Sequence, residues 1–302
     1  MAAIVVAGVV NVQQTIPVDG FPVFYSPVRY SRLPLRLEVA GVGGNVARGL
    51  VALGDEVRLA TFLAQDAAGR LARDTLTREG LADSGVLDTD ASAQSAVLVD
   101  PDGRRQIITD LKGLPTARYP APVFRALLDG AELASISTIG FARDLLPIAT
   151  AAGVPIAVDL QATSGLDDTY AADWLMHASI VFCSAENLTV APAEFAAQVL
   201  AAGRARIVVV GLGAHGCLLA VAGRAPRTVA ARAPFGVVDT TGAGDALFAG
   251  FLHTWLRTGD PDQSIITAAL AAGWTVGFPG TGRYPTGADL DALASSAARE
   301  LG

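Results

Sequence analysis

The sequence is poor in cysteine, has no surplus of positive charge and contains no long uninterrupted apolar run. Its two cysteines, Cys183 and Cys217, lie in apolar, strand-like contexts without the spacing of a metal site. They predict buried thiols in a reducing compartment, which favours a cytoplasmic location. The net charge of −7 argues against a nucleic-acid-binding surface. Without an apolar run of about 20 residues, no membrane-spanning helix is expected.

The N-terminus also lacks the pattern of a secretory signal. Ile4 to Gly8 has no positively charged leader and no small-residue cleavage site after a longer apolar run, so it predicts a first strand. The chain has 302 residues, of which 51% are hydrophobic. That length suits one large α/β domain with a full core, and we expect a single domain over residues 1–302.

Short β-rich apolar runs alternate with alanine-rich amphipathic stretches. Strands are predicted at residues 4–9, 57–63, 134–139, 155–160, 180–183 and 207–210. Helices are predicted at residues 45–53, 68–79, 122–128, 144–152, 192–202, 242–256 and 264–276. This alternation predicts a three-layer α/β/α architecture, in which helices cover both faces of a mostly parallel central sheet.

Two regions break the alternation. The segment from Val12 to Val39 is proline-rich and irregular. Residues 95–99 and 105–109 are predicted to pair as an antiparallel hairpin around the turn sequence Asp100-Pro101-Asp102-Gly103-Arg104. We interpret the segments 12–39 and 94–112 as parts of a small β lid.

The most informative stretch is Asp239-Thr240-Thr241-Gly242-Ala243-Gly244-Asp245, which leads into an apolar helical run. Gly242 and Gly244 permit a tight turn and a close approach of the backbone to a ligand. The free N–H groups of a first helical turn favour an anion such as phosphate. The stretch therefore predicts an anion cradle with the carboxylate of Asp245 beside it. A glycine-punctuated loop before a core helix is the structural alternative.

This stretch resembles the C-terminal signature of the ribokinase-like (PfkB) carbohydrate and nucleoside kinases. The resemblance implies that Asp245 takes the proton of a primary hydroxyl, while the amides of Gly242–Gly244 hold the γ-phosphoryl oxygens of ATP. It also implies that Asp239 and Thr240 contribute to a monovalent-cation site, with K⁺ as the candidate ion. In such kinases a lid covers the sugar and often supplies a dimer contact, so a homodimer through the lid is expected.

A second motif, Gly41-Val42-Gly43-Gly44-Asn45, resembles the N-terminal signature of the same family. The resemblance implies that Gly41, Val42 and Gly43 allow the backbone to approach a polyol and that Asn45 bonds a sugar hydroxyl. Asparagine is also a preferred helix cap, so Asn45 capping a helix is the structural alternative. The same pattern resembles that of pseudouridine kinases, which keeps a nucleoside substrate open.

Asn11 and Gln13 stand where many relatives carry Asn-x-Asp after the first strand, and both are candidates for substrate binding. Asn11 matches that pattern, whereas Gln13 departs from it. An aspartate accepts two hydrogen bonds from a vicinal diol, while a glutamine offers one acceptor group and one donor group. Sugar recognition therefore cannot be transferred from ribokinase, and the substrate stays open.

A third motif, Gly211, Gly213 and Gly216, satisfies G-x-G-x-x-G after a strand, a pattern typical of dinucleotide binding. Residues 217–221 form another apolar, strand-like run, so a pyrophosphate would find no helix N-terminus there. This context argues against a dehydrogenase. The family resemblance implies instead a strand–turn–strand unit that contacts the phosphates of ATP.

The Mg²⁺ site departs most from the family pattern. Relatives carry Asn-x-x-Glu after the strand equivalent to 180–183, whereas this chain has Ser184-Ala185-Glu186-Asn187. One expectation is that Glu186 binds the metal and Asn187 the nucleotide. The other is that ATP phosphates hold the metal together with Asp159 through water. A loop with an Asx-type turn at Asn187 is the structural alternative.

Together the motifs predict an ATP-dependent, Mg²⁺-requiring kinase that phosphorylates the hydroxymethyl group of a small sugar or sugar derivative, with Asp245 as the general base. A nucleoside kinase is one alternative. A catalytically silent relative that binds sugar and nucleotide is another, because the Asn-x-x-Glu pattern and the usual aspartate at Gln13 are both missing. A screen for product formation separates these functions.

Overall fold

The computed structural model describes residues 3–300, with side chains described as far as residue 295. The strands are β1 (Ala3–Ala7), β2 (Asn11–Pro17), β3 (Arg36–Ala40), β4 (Glu56–Leu63), β5 (Val86–Asp88), β6 (Gln94–Val99), β7 (Arg105–Asp110), β8 (Leu133–Ile136), β9 (Ile156–Ala162), β10 (Ile180–Ser184), β11 (Ile207–Gly211), β12 (Cys217–Val221) and β13 (Arg227–Val229). The helices are α1 (Val42–Ala52), α2 (Ala67–Arg78), α3 (Ala121–Leu128), α4 (Gly140–Arg143), α5 (Leu146–Ala151), α6 (Ala172–His177), α7 (Pro192–Ala202), α8 (Ala243–Thr258), α9 (Pro261–Thr275) and α10 (Gly287–Glu300).

The central sheet has nine strands in the order β13-β12-β11-β10-β9-β8-β1-β4-β5. The strands from β11 to β5 in this order pair in parallel, and only β12 runs against its neighbours. Successive β1 side chains enter two different cores, Val5 on one face and Ile4 and Val6 on the other. Because side chains alternate across a strand, both faces of the sheet are buried. The predicted α/β architecture is confirmed.

A second, smaller sheet has the order β3-β2-β6-β7. The predicted hairpin of residues 95–99 and 105–109 is present as β6 and β7, which pair antiparallel. Strand register places Glu38, Gln13, Ser95 and Thr109 in one row across the four strands. Since the side-chain period along a strand is two, Arg36 and Glu38 lie on this same face. We call it the inner face of the small sheet.

Several predicted helix bounds differ from the observed ones, and two of the differences bear on the site or have a local cause. The helix predicted at 144–152 is present as the shorter α5, and the separate short helix α4 ends before the predicted start. Pro147 lies in the first turn of α5, where its missing N–H has no partner to lose within the helix. Helix α1 begins at Val42, three residues before the predicted start. Its N-cap is Gly41 at φ 94°, a conformation that strongly favours glycine. Asn45 is therefore inside α1, and the interpretation of Asn45 as a helix cap is wrong.

Both cysteines are buried and unpaired within the central sheet, as predicted. Cys183 lies on β10 and Cys217 on β12. Burial raises the pKa of Cys217 to about 11, so its thiol stays protonated at neutral pH. In the part of the chain that the structure describes, no helix is both long and apolar enough to cross a membrane.

Candidate active site

The cradle predicted at residues 242–244 is the N-terminal turn of α8. Gly242 is the N-cap and adopts the left-handed conformation at φ 78°, which allows the chain to turn sharply into the helix. No side chain caps this end, so the first amides remain available for a ligand. Asp245 lies in the first turn. The local sequence thus places a carboxylate beside a set of N–H donors, at the positive end of the helix dipole.

The carboxylate of Asp245 is held by the amide of Asn45. Asn45 Nδ2 donates a hydrogen bond of 2.7 Å to Asp245 Oδ2, which joins α1 to α8. Burial raises the pKa of Asp245 to about 7, although the Asn45 hydrogen bond acts to lower it. The negative charge of the nearby Asp159 raises this pKa further. A carboxyl group with a pKa near neutrality can exchange a proton at physiological pH.

A chain of hydrogen bonds from Glu79 through Arg48 and Tyr284 orients the side chain of Asn45. The hydroxyl of Tyr284 donates to Asn45 Oδ1 at 3.2 Å, and Arg48 Nη1 donates to that hydroxyl at 3.4 Å. Arg48 is buried and forms two hydrogen bonds with Glu79, at 2.6 and 2.8 Å. The sequence reasoning missed Arg48, Glu79 and Tyr284. The one local signal for them was Arg48 itself, a single charged residue in the otherwise uncharged sequence of α1.

Packing of the backbone accounts for the glycines of the N-terminal motif. A Cβ atom at Gly41 would lie 2.5 Å from the carbonyl oxygen of Val9, and one at Gly43 would lie 2.5 Å from the carbonyl carbon of Gly8. Only glycine permits α1 to pack this closely on the end of β1. Val42 is the first residue of α1 and is partly buried. These glycines bring Asn45 to the end of the central sheet.

Asn11 and Gln13 are buried on the inner face of the small sheet, 6% and 7% exposed. Asn11 Nδ2 donates to Ser95 Oγ at 3.0 Å. Among the described side chains, Asn11 Oδ1 and Gln13 Nε2 have no hydrogen-bond partner. A buried polar atom without a partner is unfavourable by about 1–3 kcal/mol. One acceptor and one donor are therefore available to a ligand with hydroxyl groups.

The strand–turn–strand unit predicted around Gly211 is present, because β11 and β12 form an antiparallel hairpin. This geometry rules out the βαβ unit that a dinucleotide fingerprint requires. Gly213 lies in the turn at φ 59° with open space where a Cβ would be. Gly216 is different, since a Cβ there would lie 1.9 Å from the carbonyl oxygen of Val229. Packing against the chain after β13 is sufficient to require glycine at 216.

Glu186 and Asn187 are exposed in the turn that follows β10. Asp159 is buried in the middle of β9, and its Oδ1 atom accepts a 2.8 Å hydrogen bond from the Gln161 amide. Burial raises the pKa of Asp159, and its negative charge acts to raise the pKa of Asp245. Among the described residues, no group of three or more His, Cys, Asp or Glu side chains can hold a metal alone. Asp159 fits a Mg²⁺ ion that takes most of its ligands from phosphates and water.

The carboxylate of Asp239 already accepts three hydrogen bonds. Its Oδ1 atom accepts from the Thr241 amide at 2.9 Å, and its Oδ2 atom accepts from the Gly280 amide at 3.0 Å and from Arg36 Nη2 at 2.7 Å. Burial acts to raise the pKa of Asp239, but bonds from the Thr241 amide and hydroxyl, the Gly280 amide and the Arg36 charge lower it overall. A carboxylate has about four acceptor positions. Most of these positions are taken, and the guanidinium of Arg36 would repel a K⁺ ion next to it, so Asp239 does not fit K⁺ while Arg36 is in place.

The comparisons with known proteins agree with this geometry. The structure matches the ribokinase of Thermotoga maritima with a TM-score of 0.79 at 17% identity, over 98% of this chain and 100% of that chain, which defines a ribokinase-like fold. Residues 1–286 match the profile described as pfkB family carbohydrate kinase. The chain belongs to the pfkB family, and it is an ATP-dependent carbohydrate kinase.

Three relatives share more sequence with the chain. Acarbose 7(IV)-phosphotransferase of an Actinoplanes species is 34% identical over 246 residues, which are 79% of this chain and 80% of that protein. ATP-dependent ribose-1-phosphate kinase of Halopiger xanaduensis is 29% identical over 98% of both chains. A structure of the microbiome-derived acarbose kinase Mak1 matches with a TM-score of 0.86 at 28% identity, over 97% of this chain and 99% of that one.

Proposed function

We propose that this kinase transfers the γ-phosphoryl group of ATP to the hydroxymethyl group of a small sugar or sugar derivative, with Asp245 as the general base. One observation carries this proposal. Asp245 lies in the first turn of α8, beside uncapped amides, and its pKa is raised to about 7 by burial. A base with a pKa near the working pH combines a useful ionised fraction with a useful driving force for proton transfer.

In this mechanism a primary hydroxyl of the substrate donates a hydrogen bond to the Asp245 carboxylate. As the hydroxyl oxygen forms a bond to the γ-phosphorus, Asp245 takes the proton and the bond to ADP breaks. The amides of Gly242–Gly244 hold the phosphoryl oxygens, and Asn45 keeps the carboxylate in place. Mg²⁺ bound with ATP neutralises phosphate charge, and Asp159 is the residue that would hold it.

The small sheet acts as the lid and provides the substrate contacts. Asn11 Oδ1 accepts from one sugar hydroxyl, and Gln13 Nε2 donates to another, which satisfies both unpartnered atoms. Specificity follows from these buried groups, because a substrate lacking the matching hydroxyls leaves them unpaired. Gly213 is the backbone position at which the β11–β12 turn approaches the nucleotide.

Arg105 of the small sheet supplies positive charge to the cradle. Its Nη1 atom donates to Thr241 Oγ1 at 3.0 Å, and Thr241 directly precedes Gly242. Among the described residues, Arg105 forms no ion pair with a carboxylate, unlike its neighbour Arg104, which pairs with Asp100 at 2.8 Å. A guanidinium with free donors beside an anion cradle stabilises the charge of a transferring phosphoryl group.

The outer face of the small sheet is where a second copy of the chain would bind. Leu37 and Ile108 lie in one cross-strand row with Gln14 and Ala96, and they are 61% and 56% exposed. Covering these side chains would remove apolar surface from water. Light scattering tests this contact: the wild-type mass should be that of a dimer, and Leu37→Glu should yield monomers. A monomeric wild type would contradict it.

A screen of acceptors tests the proposed function. Purified protein, ATP and Mg²⁺ are combined with acarbose, ribose 1-phosphate, ribose, fructose, inosine or pseudouridine, and ADP release is compared with the background without acceptor. Acarbose leads the panel because two of the relatives described above act on it. At least one sugar should raise ADP release, and its product should carry phosphate on a primary carbon. Turnover with nucleosides alone would favour the nucleoside kinase, and binding without ADP would favour a silent relative.

A further inference from the structure

Asp239 is the first residue of segment 239–244, which leads into α8 and which we call the cradle segment. An arginine joins Asp239 to the small sheet. Arg36 lies on β3, and its Nη2 atom is 2.7 Å from Asp239 Oδ2. The Asp239 side chain is only 7% exposed, so this carboxylate is largely removed from water, whereas Arg36 is partly exposed. A buried carboxylate is strongly unfavourable without a positive charge next to it. The cradle segment therefore needs a cation, and the small sheet supplies one.

The same arginine faces a second carboxylate. Arg36 Nε is 4.0 Å from Glu38 Oε2, and neither atom has a hydrogen-bond partner among the described side chains. The Glu38 carboxylate packs directly on Gly280, where a Cβ atom would lie 2.2 Å from both of its oxygens. The Gly280 amide in turn donates to Asp239. One guanidinium thus faces two carboxylates beside the cradle, and one of these carboxylates also accepts from a loop amide.

We propose that Arg36 is the built-in monovalent cation of this site, so that turnover does not require K⁺. The guanidinium carries the single positive charge that the family resemblance assigns to a free ion near Asp239. Arg36 is a positioning residue: it acts through Asp239, whose other bonds hold the amides of Thr241 and Gly280. The cation comes from β3, so the small sheet contributes a charge to the cradle of α8. This inference rests on the proposed function, because it concerns the cradle that holds the phosphoryl group.

The cation dependence of the wild-type enzyme is the first test. Turnover with the best acceptor is measured at constant ionic strength in KCl, NaCl and tetramethylammonium chloride. Tetramethylammonium is too large and too weak a hydrogen-bonding partner to replace K⁺ at a carboxylate. The kcat values should agree within about threefold, since the arginine already supplies the charge. A larger activation by K⁺ would overturn the proposal.

Removing the guanidinium should create a requirement for a free ion. In tetramethylammonium chloride, Arg36→Met should lower kcat by at least about tenfold, because Asp239 loses its cation. KCl should restore part of this loss, and Arg36→Lys should retain most of the activity. An Arg36→Met enzyme that is as active as the wild type would contradict the proposal. A loss that no cation restores would reduce Arg36 to a structural contact and would also overturn it.

Arg29→Met is the matched control. Arg29 forms an ion pair of 2.6 Å with Asp19 in the segment between β2 and β3, away from the cradle. Its removal should leave kcat and the response to KCl unchanged. Melting temperatures add a readout that does not depend on turnover: KCl should stabilise Arg36→Met relative to tetramethylammonium chloride and should not stabilise the wild type. A wild type without turnover on any acceptor would refute the proposed function, whereas K⁺-activated turnover would refute only the role of Arg36.

Discussion

Asn45 Nδ2 lies 2.7 Å from Asp245 Oδ2, so residues 200 positions apart in the chain meet in one hydrogen bond. This bond joins the two family signatures, one on α1 and the other at the start of α8. It favours the ionised carboxylate, whereas burial favours the protonated one. The balance between the two sets the pKa of Asp245 at about 7. Asn45 thus tunes the proposed base as well as positioning it.

The pH dependence of the wild type should report this balance. Because the base must be ionised, kcat/KM should fall about tenfold per pH unit below a pKa of about 7. Asn45→Ala removes the bond that favours the ionised form, so the acidic limb should move up by about one pH unit. Gln198→Ala, at a partly exposed position on α7, is the control and should leave the profile unchanged. A limb that stays in place in Asn45→Ala would contradict the tuning role.

The same carboxylate should make the protein less stable at alkaline pH. The pKa of Asp245 is about 7 in the folded protein, against an ordinary aspartate value of 3.8 that applies to the unfolded chain. Between these two pH values the folded state therefore binds more protons than the unfolded state. Stability from this group is therefore present at low pH and is lost as the pH rises toward 7. The difference corresponds to at most about 4 kcal/mol.

Asp245→Asn should remove this penalty, because a carboxamide does not ionise. Chemical denaturation should show the variant to be more stable than the wild type at pH 8, with a clearly smaller difference at pH 5, because only part of the interval between pH 3.8 and 7 has then been crossed. Equal stabilities at pH 8 would mean that the folded protein accommodates the charge without cost. Such a result would remove the basis for a raised pKa.

The sequence predicted the secondary-structure elements around the site better than the tertiary contacts between its side chains. Periodicity and glycine spacing identified the parallel sheet, the hairpin after Gly211 and the cradle before Asp245, since these features are local in the chain. Tyr284 and Arg36 carry no local signature. Their roles arise from contacts across 239 and 203 positions of the chain, with Asn45 and Asp239. Tertiary contacts of this kind become visible only when the fold brings the elements together.

The proposed sugar contact at Gln13 can be separated from its role in the strand. Gln13→Ala should raise the KM of the acceptor by about tenfold or more and leave the KM of ATP unchanged, because only the sugar loses a hydrogen bond. Gln14→Ala is the control, since Gln14 is exposed on the opposite face of β2. Equal effects of the two variants on the acceptor would place the sugar elsewhere.

Arg105 should act on turnover rather than on binding. Arg105→Gln should lower kcat by about 100-fold while changing the KM of ATP little, because its charge is needed most when the phosphoryl group is in transfer. Arg105→Lys should recover part of the loss. Arg104→Gln, one residue before it, disrupts the ion pairs with Asp100 and Asp102 in the hairpin turn and should keep normal turnover. Comparable losses in both glutamine variants would indicate damage to the hairpin.

Turnover of Asp245→Asn is the most direct test of the account. The substitution keeps the size of the side chain and its ability to accept from Asn45, but it removes the base. With the acceptor found in the screen, ADP release should fall by at least about 100-fold, while nucleotide binding and the folded state persist. Asp262→Asn, at an exposed carboxylate on α9, should remain fully active. If Asp245→Asn kept kcat within about threefold of the wild type, the assignment of the general base would be wrong.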